Sequence, residues 1–132
     1  MPNHYHFLIF LREADLSKAM QRFVLAYTNG MNRRYGRCGT LFQGRFQTKW
    51  VDRDEYLLHL TRYIHLNPVK AGLVKRPEDW AFSSYQDYLG LRRGTLPETA
   101  TVLAQVGDTA AYRQFVTVDA EPQISIQHLL WD

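Results

Sequence analysis

This chain of 132 residues has little cysteine, no long apolar run and no low-complexity tract. Its single cysteine, Cys38, cannot form an internal disulfide, so we expect a reducing compartment and a fold held by its apolar core. No apolar run reaches the ~18 residues of a membrane-spanning helix, and no basic segment with a following cleavage site opens the chain. These absences argue against a membrane protein and against a secreted one, and we predict a cytoplasmic protein.

Charge is unevenly distributed along the chain. Residues 30–76 carry a net charge of +7, whereas residues 77–132 carry −5. A basic middle segment beside an acidic one indicates one face that binds a polyanion such as nucleic acid. A solvated surface with accidental clustering of charge is the alternative.

Periodicity predicts alternating strands and helices. We expect a strand from Asn3 to Leu11, and a helix that Asp15 caps and that ends near Gly30 or a turn later. A second strand is predicted over residues 40–51. A second helix follows it, capped by Asp52 and ended at Asn67 by the next residue, Pro68. One or two short helices are predicted within residues 98–117.

His4 and His6 stand one residue apart at the start of the first predicted strand. Alternate side chains of a strand share a face, so the two imidazoles have the spacing of two ligands for one divalent metal. Packed or capping histidines are the commoner outcome of such a pair.

A second cluster lies at the end of the second predicted helix. Tyr63 and Asn67 are four residues apart and therefore neighbours on one helical face. The amide oxygen of Asn67 suits Mg²⁺ or Mn²⁺ beside two imidazoles, and Tyr63 would then lie next to the metal. His65 points about 200° away from Tyr63, and we interpret it as structural or as a phosphate contact.

Four blocks of this sequence resemble the REP-associated tyrosine transposases, which belong to the HUH group of single-strand transposases. The blocks match in order and spacing across nearly the whole chain, and the third is the most specific. They are Met1–His6, Leu41–Phe46, Tyr63–Val74 and Trp80–Tyr85.

The resemblance implies a ferredoxin-like α+β fold, in which an antiparallel sheet carries helices on one face. It implies a catalytic domain over residues 1–76 and a C-terminal helical extension over residues 77–132. It also implies that a strand, a helix and a further strand which family members carry before the Met-Pro-Asn-His segment are missing here. A misassigned start, a decayed remnant and a partner chain that completes the sheet are three competing explanations.

The resemblance also assigns roles to single residues. His4, His6 and Asn67 would hold Mg²⁺ or Mn²⁺, and Tyr63 would attack a DNA phosphate to form a 5′-phosphotyrosine link. The implied partners are single-stranded or hairpin DNA and a second copy in a homodimer, in a cytoplasmic, nucleoid-associated protein. From charge and location alone, we predict further DNA contacts at Arg33, Arg34, Arg37, Arg45 and Lys49.

Two other functions remain open at this point. One is a catalytically inactive protein that binds REP-like hairpin DNA. The other is a metal-dependent phosphoesterase with a water nucleophile, which the proximity of Tyr63 to Asn67 argues against. A covalent DNA adduct that depends on Tyr63 distinguishes the transposase from both.

Overall fold

The computed structural model describes residues 1–12, 15–118 and 125–131, and this part of the chain is helical. Two compact units divide the chain. The smaller unit is Ile9–Lys49, and the larger unit combines Met1–Leu8 with Trp50–Asp132. The α-helices are α1 (Leu16–Tyr35), α2 (Asp54–Lys70), α3 (Tyr85–Tyr88), α4 (Ala100–Val106) and α5 (Thr109–Thr117), joined by two short 3₁₀ helices at Pro77–Asp79 and Gln127–Leu129.

Helix α1 is the main element of the smaller unit, and it begins where the sequence predicts. The Asp15 side chain accepts a hydrogen bond of 3.0 Å from the backbone N–H of Lys18. The helix passes Gly30 and takes the later of its two predicted ends. Gly36 follows it with a φ of 60°, a left-handed conformation that glycine adopts without strain. The predicted cap and the longer predicted helix are both confirmed.

Helix α2 runs through Pro68 and ends at Lys70, so the predicted end at Asn67 is wrong. A proline in the last turn removes one backbone donor and leaves later bonds intact. The N–H of Ala71 donates to the carbonyl of Asn67 at 2.9 Å, and the N–H of Leu73 donates to that of Pro68 at 2.9 Å. The predicted cap at Asp52 is also wrong, because Arg53 occupies the N-cap position without a side-chain bond.

The core of the larger unit surrounds α2. Helices α4 and α5 pack against α2 and against each other. The sequence predicts one or two short helices within residues 98–117, and the structure has two. Apolar burial of this kind supplies most of the stability of short helices. One buried cluster comprises Tyr85, Tyr88, Leu89, Val102, Tyr112 and Val116. A second comprises Leu60, Ile126 and Leu129.

The predicted ferredoxin-like sheet is wrong for the part of the chain that the structure describes. Neither Asn3–Leu11 nor residues 40–51 forms a strand there, and no strand occurs in the rest of the described ranges. An isolated strand leaves its backbone unpaired and is not stable in water. The apolar side chains of the first segment also stay exposed, since Phe7 is 52% exposed and Phe10 is 87% exposed. Apolar, β-branched composition indicated strands, but strand formation needs a pairing partner, and these segments have none within the described ranges.

None of the helices in the described ranges combines the length and the apolar character that crossing a membrane requires.

Candidate active site

Tyr63 lies at the middle of α2, on the side of that helix that faces residues 125–130, which we call the C-terminal segment. Its ring is partly buried and packs against the cluster of Leu60, Ile126 and Leu129. This packing restricts the rotation of the phenol ring while the residue keeps some exposure. An anchored phenol with partial access to solvent has the placement that a nucleophile needs.

His4 and His6 lie together beside Tyr63 within the larger unit. The ring centroids of His4 and His6 are 5.0 Å apart, with the rings at 85° to each other. The ring of His6 lies 5.8 Å from that of Tyr63, again edge to face. The structure therefore brings the predicted histidine pair and the predicted nucleophile into one place, although the strand proposed to do so is absent.

His4 contacts its neighbour Asn3. The Nδ1 atom of His4 lies 2.7 Å from the Oδ1 atom of Asn3, within hydrogen-bond distance. Histidines that bind metals commonly use one ring nitrogen for such a hydrogen bond and the other for the metal.

Asn67 lies one helical turn after Tyr63, and its side chain is incompletely satisfied. Its Nδ2 atom is buried and has no hydrogen-bond partner among the residues that the structure describes. A buried amide without a partner costs about 1–3 kcal/mol, which favours a ligand that would engage the group. The amide group can present either its oxygen or its nitrogen on the same side by rotation about its last bond.

The predicted metal site combines two imidazole ligands with an amide ligand. Among the described residues, no group of three or more His, Cys, Asp and Glu side chains is placed to hold a metal. A site based on His4 and His6 therefore needs a third protein ligand of another type. The predicted ligand of that type is the amide oxygen of Asn67, and its coordination of a metal stays a prediction.

Tyr63 also lines an open cleft. The cleft has a volume of about 360 Å³ and runs between α2 and the C-terminal segment. From α2 it is lined by His59, Arg62, Tyr63, Leu66 and Lys70, and from the segment by Ser125, Ile126, Gln127 and Leu130.

Two cations of the cleft lie near Tyr63. The ammonium nitrogen of Lys70 is 5.8 Å from the centre of the Tyr63 ring. The guanidinium of Arg62 lies over the Phe115 ring at 5.6 Å and donates to the carbonyl of Val118 at 2.6 Å. Burial, and secondarily the charge of Arg62, lowers the pKa of His59, so that imidazole is neutral at pH 7. The cleft therefore carries its positive charge on Arg62 and Lys70.

His65 faces away from this site and is buried in the core. Its Nδ1 and Nε2 atoms lie 2.8 Å from the Tyr112 hydroxyl and 3.0 Å from the Ser84 hydroxyl. Burial lowers the pKa of His65 to about 3. The structural interpretation of His65 is confirmed, since a buried neutral ring with two partners cannot reach a phosphate.

The five cations predicted to contact DNA all lie in the smaller unit and are exposed. Arg33 and Arg34 lie in the last turn of α1, and the guanidinium of Arg34 lies 5.7 Å from the centre of the Tyr35 ring. Arg37, Arg45 and Lys49 follow in the non-helical part of that unit. Their exposure leaves their charge accessible to a polyanion, and their contact with DNA stays a prediction.

Sequence reasoning missed Arg62 and Lys70. Both lie on the helical stripe that contains Tyr63, since positions 59, 62, 63, 66 and 70 fall within about 100° around the helix axis. That spacing was visible in the sequence. Because the helix was expected to end at Asn67, Lys70 was not expected to belong to that stripe.

Comparison with known proteins adds two relatives. No family model and no solved structure matches the chain. The chain is 30% identical over 101 residues to the REP-associated tyrosine transposase of Escherichia coli (strain K12), covering 74% of this chain and 56% of that protein. A Haemophilus influenzae protein given the same family name is 31% identical over 96 residues, which cover 64% of this chain and 54% of that protein. The chain thus spans about half the length of the curated relatives it matches, and both are named as tyrosine transposases.

Proposed function

We propose that this chain is a REP-associated tyrosine transposase that cuts and rejoins single-stranded DNA, with Tyr63 as its nucleophile. The observation that carries the proposal is the position of Tyr63, whose ring lies next to His6 of the His4–His6 pair and lines a cleft with two cations. The four sequence blocks and the names of the two curated relatives support the same function.

The chemistry is an in-line displacement at phosphorus. The hydroxyl oxygen of Tyr63 attacks the phosphate, its proton passes to solvent, and a new P–O bond joins the phenol to the 5′ phosphate. The bond from phosphorus to the 3′ oxygen breaks, and that oxygen leaves as a hydroxyl after taking up a proton. Because one phosphoester replaces another, the reaction reverses to join strands without an external energy source.

The residues around Tyr63 support each part of this step. Packing against Leu60 and Ile126 orients the phenol. The positive charge of Lys70 stabilises the negative charge that develops on the phenol oxygen as it attacks.

His4, His6 and Asn67 would hold Mg²⁺ or Mn²⁺. A bound divalent cation supplies neutralisation of the phosphate charge and a fixed orientation of the phosphate. A hydrogen bond donated by the Nδ1 atom of His4 to Asn3 would leave the Nε2 atom of His4 for the metal.

The substrate of the proposal is single-stranded or hairpin DNA. A phosphate in an unpaired segment is accessible to a phenol anchored on a helix, whereas a duplex holds its phosphates apart from such a site. The exposed cations of the smaller unit add affinity for the backbone without requiring a particular sequence.

A covalent adduct tests the proposal. The protein is incubated with a 3′-labelled single-stranded hairpin and Mn²⁺, and a protein–DNA band that resists denaturation is expected. Tyr63→Phe should abolish this band, because phenylalanine lacks the attacking oxygen. Tyr56→Phe is the matched control, since it removes a hydroxyl from the same helix away from the histidine pair, and the band should remain.

The second candidate is a protein that binds hairpin DNA without cutting it. The observation that favours it is the set of exposed cations in the smaller unit, because they can contact DNA phosphates without any chemistry at Tyr63. Well-folded protein that binds the hairpin but forms no adduct with Mg²⁺ or Mn²⁺ would leave this candidate and remove the first.

A further inference from the structure

The cleft beside Tyr63 contains a buried donor that nothing in the described residues satisfies. The Nε atom of Arg62 is buried and has no hydrogen-bond partner. Leaving a charged donor unpaired costs more than leaving a neutral one unpaired, so the group favours an acceptor that carries negative charge. The other end of the same guanidinium is held in place by the carbonyl of Val118 and by the Phe115 ring.

Lys70 supplies a second positive charge to the same cleft. It is exposed and lies one turn beyond Leu66, which also lines the cleft. No carboxylate of the described residues forms an ion pair with Arg62 or Lys70, although four other ion pairs occur in this unit. The two cations therefore keep their charge available for a ligand.

The walls of the cleft are apolar as well as basic. Leu66, Ile126 and Leu130 contribute the apolar lining, and Ser125 and Gln127 contribute polar groups. A sugar–phosphate unit has matching chemistry, because its phosphate needs cations and its sugar and base offer apolar faces. A volume of about 360 Å³ has room for one such unit, and the open side lets the strand continue.

The geometry points to a phosphate-binding subsite in this cleft, in which Arg62 and Lys70 hold a backbone phosphate of the strand that Tyr63 attacks, next to the reacting one. The inference rests on the proposed function for the identity of the strand. It assigns Arg62 and Lys70 the task of positioning the substrate, a task separate from that of the predicted metal ligands His4, His6 and Asn67.

Binding of a short oligothymidylate, measured by fluorescence anisotropy over a series of NaCl concentrations, tests the subsite. For single-stranded DNA, the plot of log K against the logarithm of the salt concentration has a slope of about 0.7 in magnitude for each phosphate contact. Removing one contact should therefore lower the magnitude of the slope by about 0.7. Combining Arg62→Gln with Lys70→Gln should lower the slope by about 0.7. Lys75→Gln, which removes an exposed charge outside the cleft, should leave it unchanged.

A second probe locates the contact along the strand. Oligonucleotides with one neutral methylphosphonate linkage, placed in turn at each position, should lose affinity most at the linkage next to the cleavage site. That position dependence should disappear in Lys70→Gln. Because Lys70 is exposed, this variant should keep the unfolding temperature of the wild type, even if Arg62→Gln loses its contact with Val118.

Three results would overturn the inference. One is an unchanged salt slope in the double variant, and another is equal sensitivity at all linkages. The third is displacement of the oligonucleotide from this cleft by inorganic phosphate at low concentration, which would indicate a site for free anions. The binding measurements are repeated in Tyr63→Phe, which cannot form the covalent adduct, so they decide on the subsite alone. Absence of the adduct in the wild type would reject the proposed chemistry without deciding on the subsite.

Discussion

The Nδ1 atom of His65 lies 2.8 Å from the hydroxyl oxygen of Tyr112 in the core of the larger unit. The opposite ring nitrogen lies 3.0 Å from the hydroxyl of Ser84. Three aromatic rings, those of Tyr85, Tyr88 and Tyr112, surround the imidazole at centroid distances of 5.0 to 5.9 Å. Burial also raises the pKa of Tyr112, so a neutral imidazole and a neutral phenol share this bond.

We expect the protein to lose stability as the pH falls below about 6.5. In the unfolded chain His65 binds a proton near its ordinary pKa of 6.5, whereas the folded ring stays neutral down to about pH 3. Between these values the unfolded state holds more protons, so the stabilisation is complete above pH 6.5 and is lost as the pH falls. His65 alone contributes up to about 1.4 kcal/mol per pH unit, measurable by urea unfolding.

Two variants check that His65 is the group responsible. His65→Gln, which cannot titrate, should flatten the dependence of the unfolding free energy on pH in this interval. His128→Gln, at an exposed position, should leave it steep. Equal slopes in the wild type and His65→Gln would contradict the assignment.

Arg92 should be sensitive to replacement by lysine. It donates to the carbonyls of Ala81 and Ser83 at 2.9 and 2.7 Å and pairs with the buried carboxylate of Asp87. This pairing lowers the pKa of Asp87. Lysine cannot reproduce three divergent donors, so we expect Arg92→Lys to lower the unfolding free energy by about 1–2 kcal/mol.

The neighbouring Arg93 is the matched control for Arg92. Its side chain is exposed, and Arg93→Lys should change stability by less than about 0.5 kcal/mol. A similar loss in both variants would indicate a general effect of arginine in this loop.

Removing both imidazoles at the start of the chain should separate metal binding from DNA binding. We expect the double variant His4→Ala with His6→Ala to lose Mn²⁺ binding, measured by calorimetry. Its DNA affinity at matched salt should stay within about threefold of the wild type, because the phosphate contacts lie elsewhere. Mn²⁺ binding that survives both substitutions would reject this ligand pair.

The exposed cations of the smaller unit should determine how steeply DNA affinity depends on salt. Replacing Arg33, Arg34 and Arg37 together by glutamine should lower the slope for single-stranded DNA by about 2, at about 0.7 for each lost phosphate contact. Arg12→Gln with Arg22→Gln, which removes exposed charge from the same unit, should change it much less. A slope unaffected by the triple substitution would reject this surface as a DNA contact.

The helices could be predicted from the sequence because local rules decide them. Asp15 before an apolar stripe specified the start of α1, and a 3.6-residue period specified the faces of α1 and α2. Strand formation could not be predicted in the same way. It depends on pairing between distant segments, and the apolar run after His6 has no such partner in the described ranges.

The candidate site was only partly predictable for the same reason. The proximity of Tyr63 to Asn67 follows from helical geometry, and the structure also brings His6 next to Tyr63. The cleft was not predictable, because the segment at residues 125–130 that forms its far wall is remote in sequence from α2.

The persistence of α2 past Pro68 has a consequence for the electrostatics of the phenol. A helix rises about 1.5 Å per residue, so Lys70 stands two turns above Tyr63 on the same stripe. Had the backbone turned away at Asn67, the ammonium group would have left the neighbourhood of the aromatic ring. Because α2 continues through Pro68, its last turn places the ammonium group of Lys70 close to the ring of Tyr63.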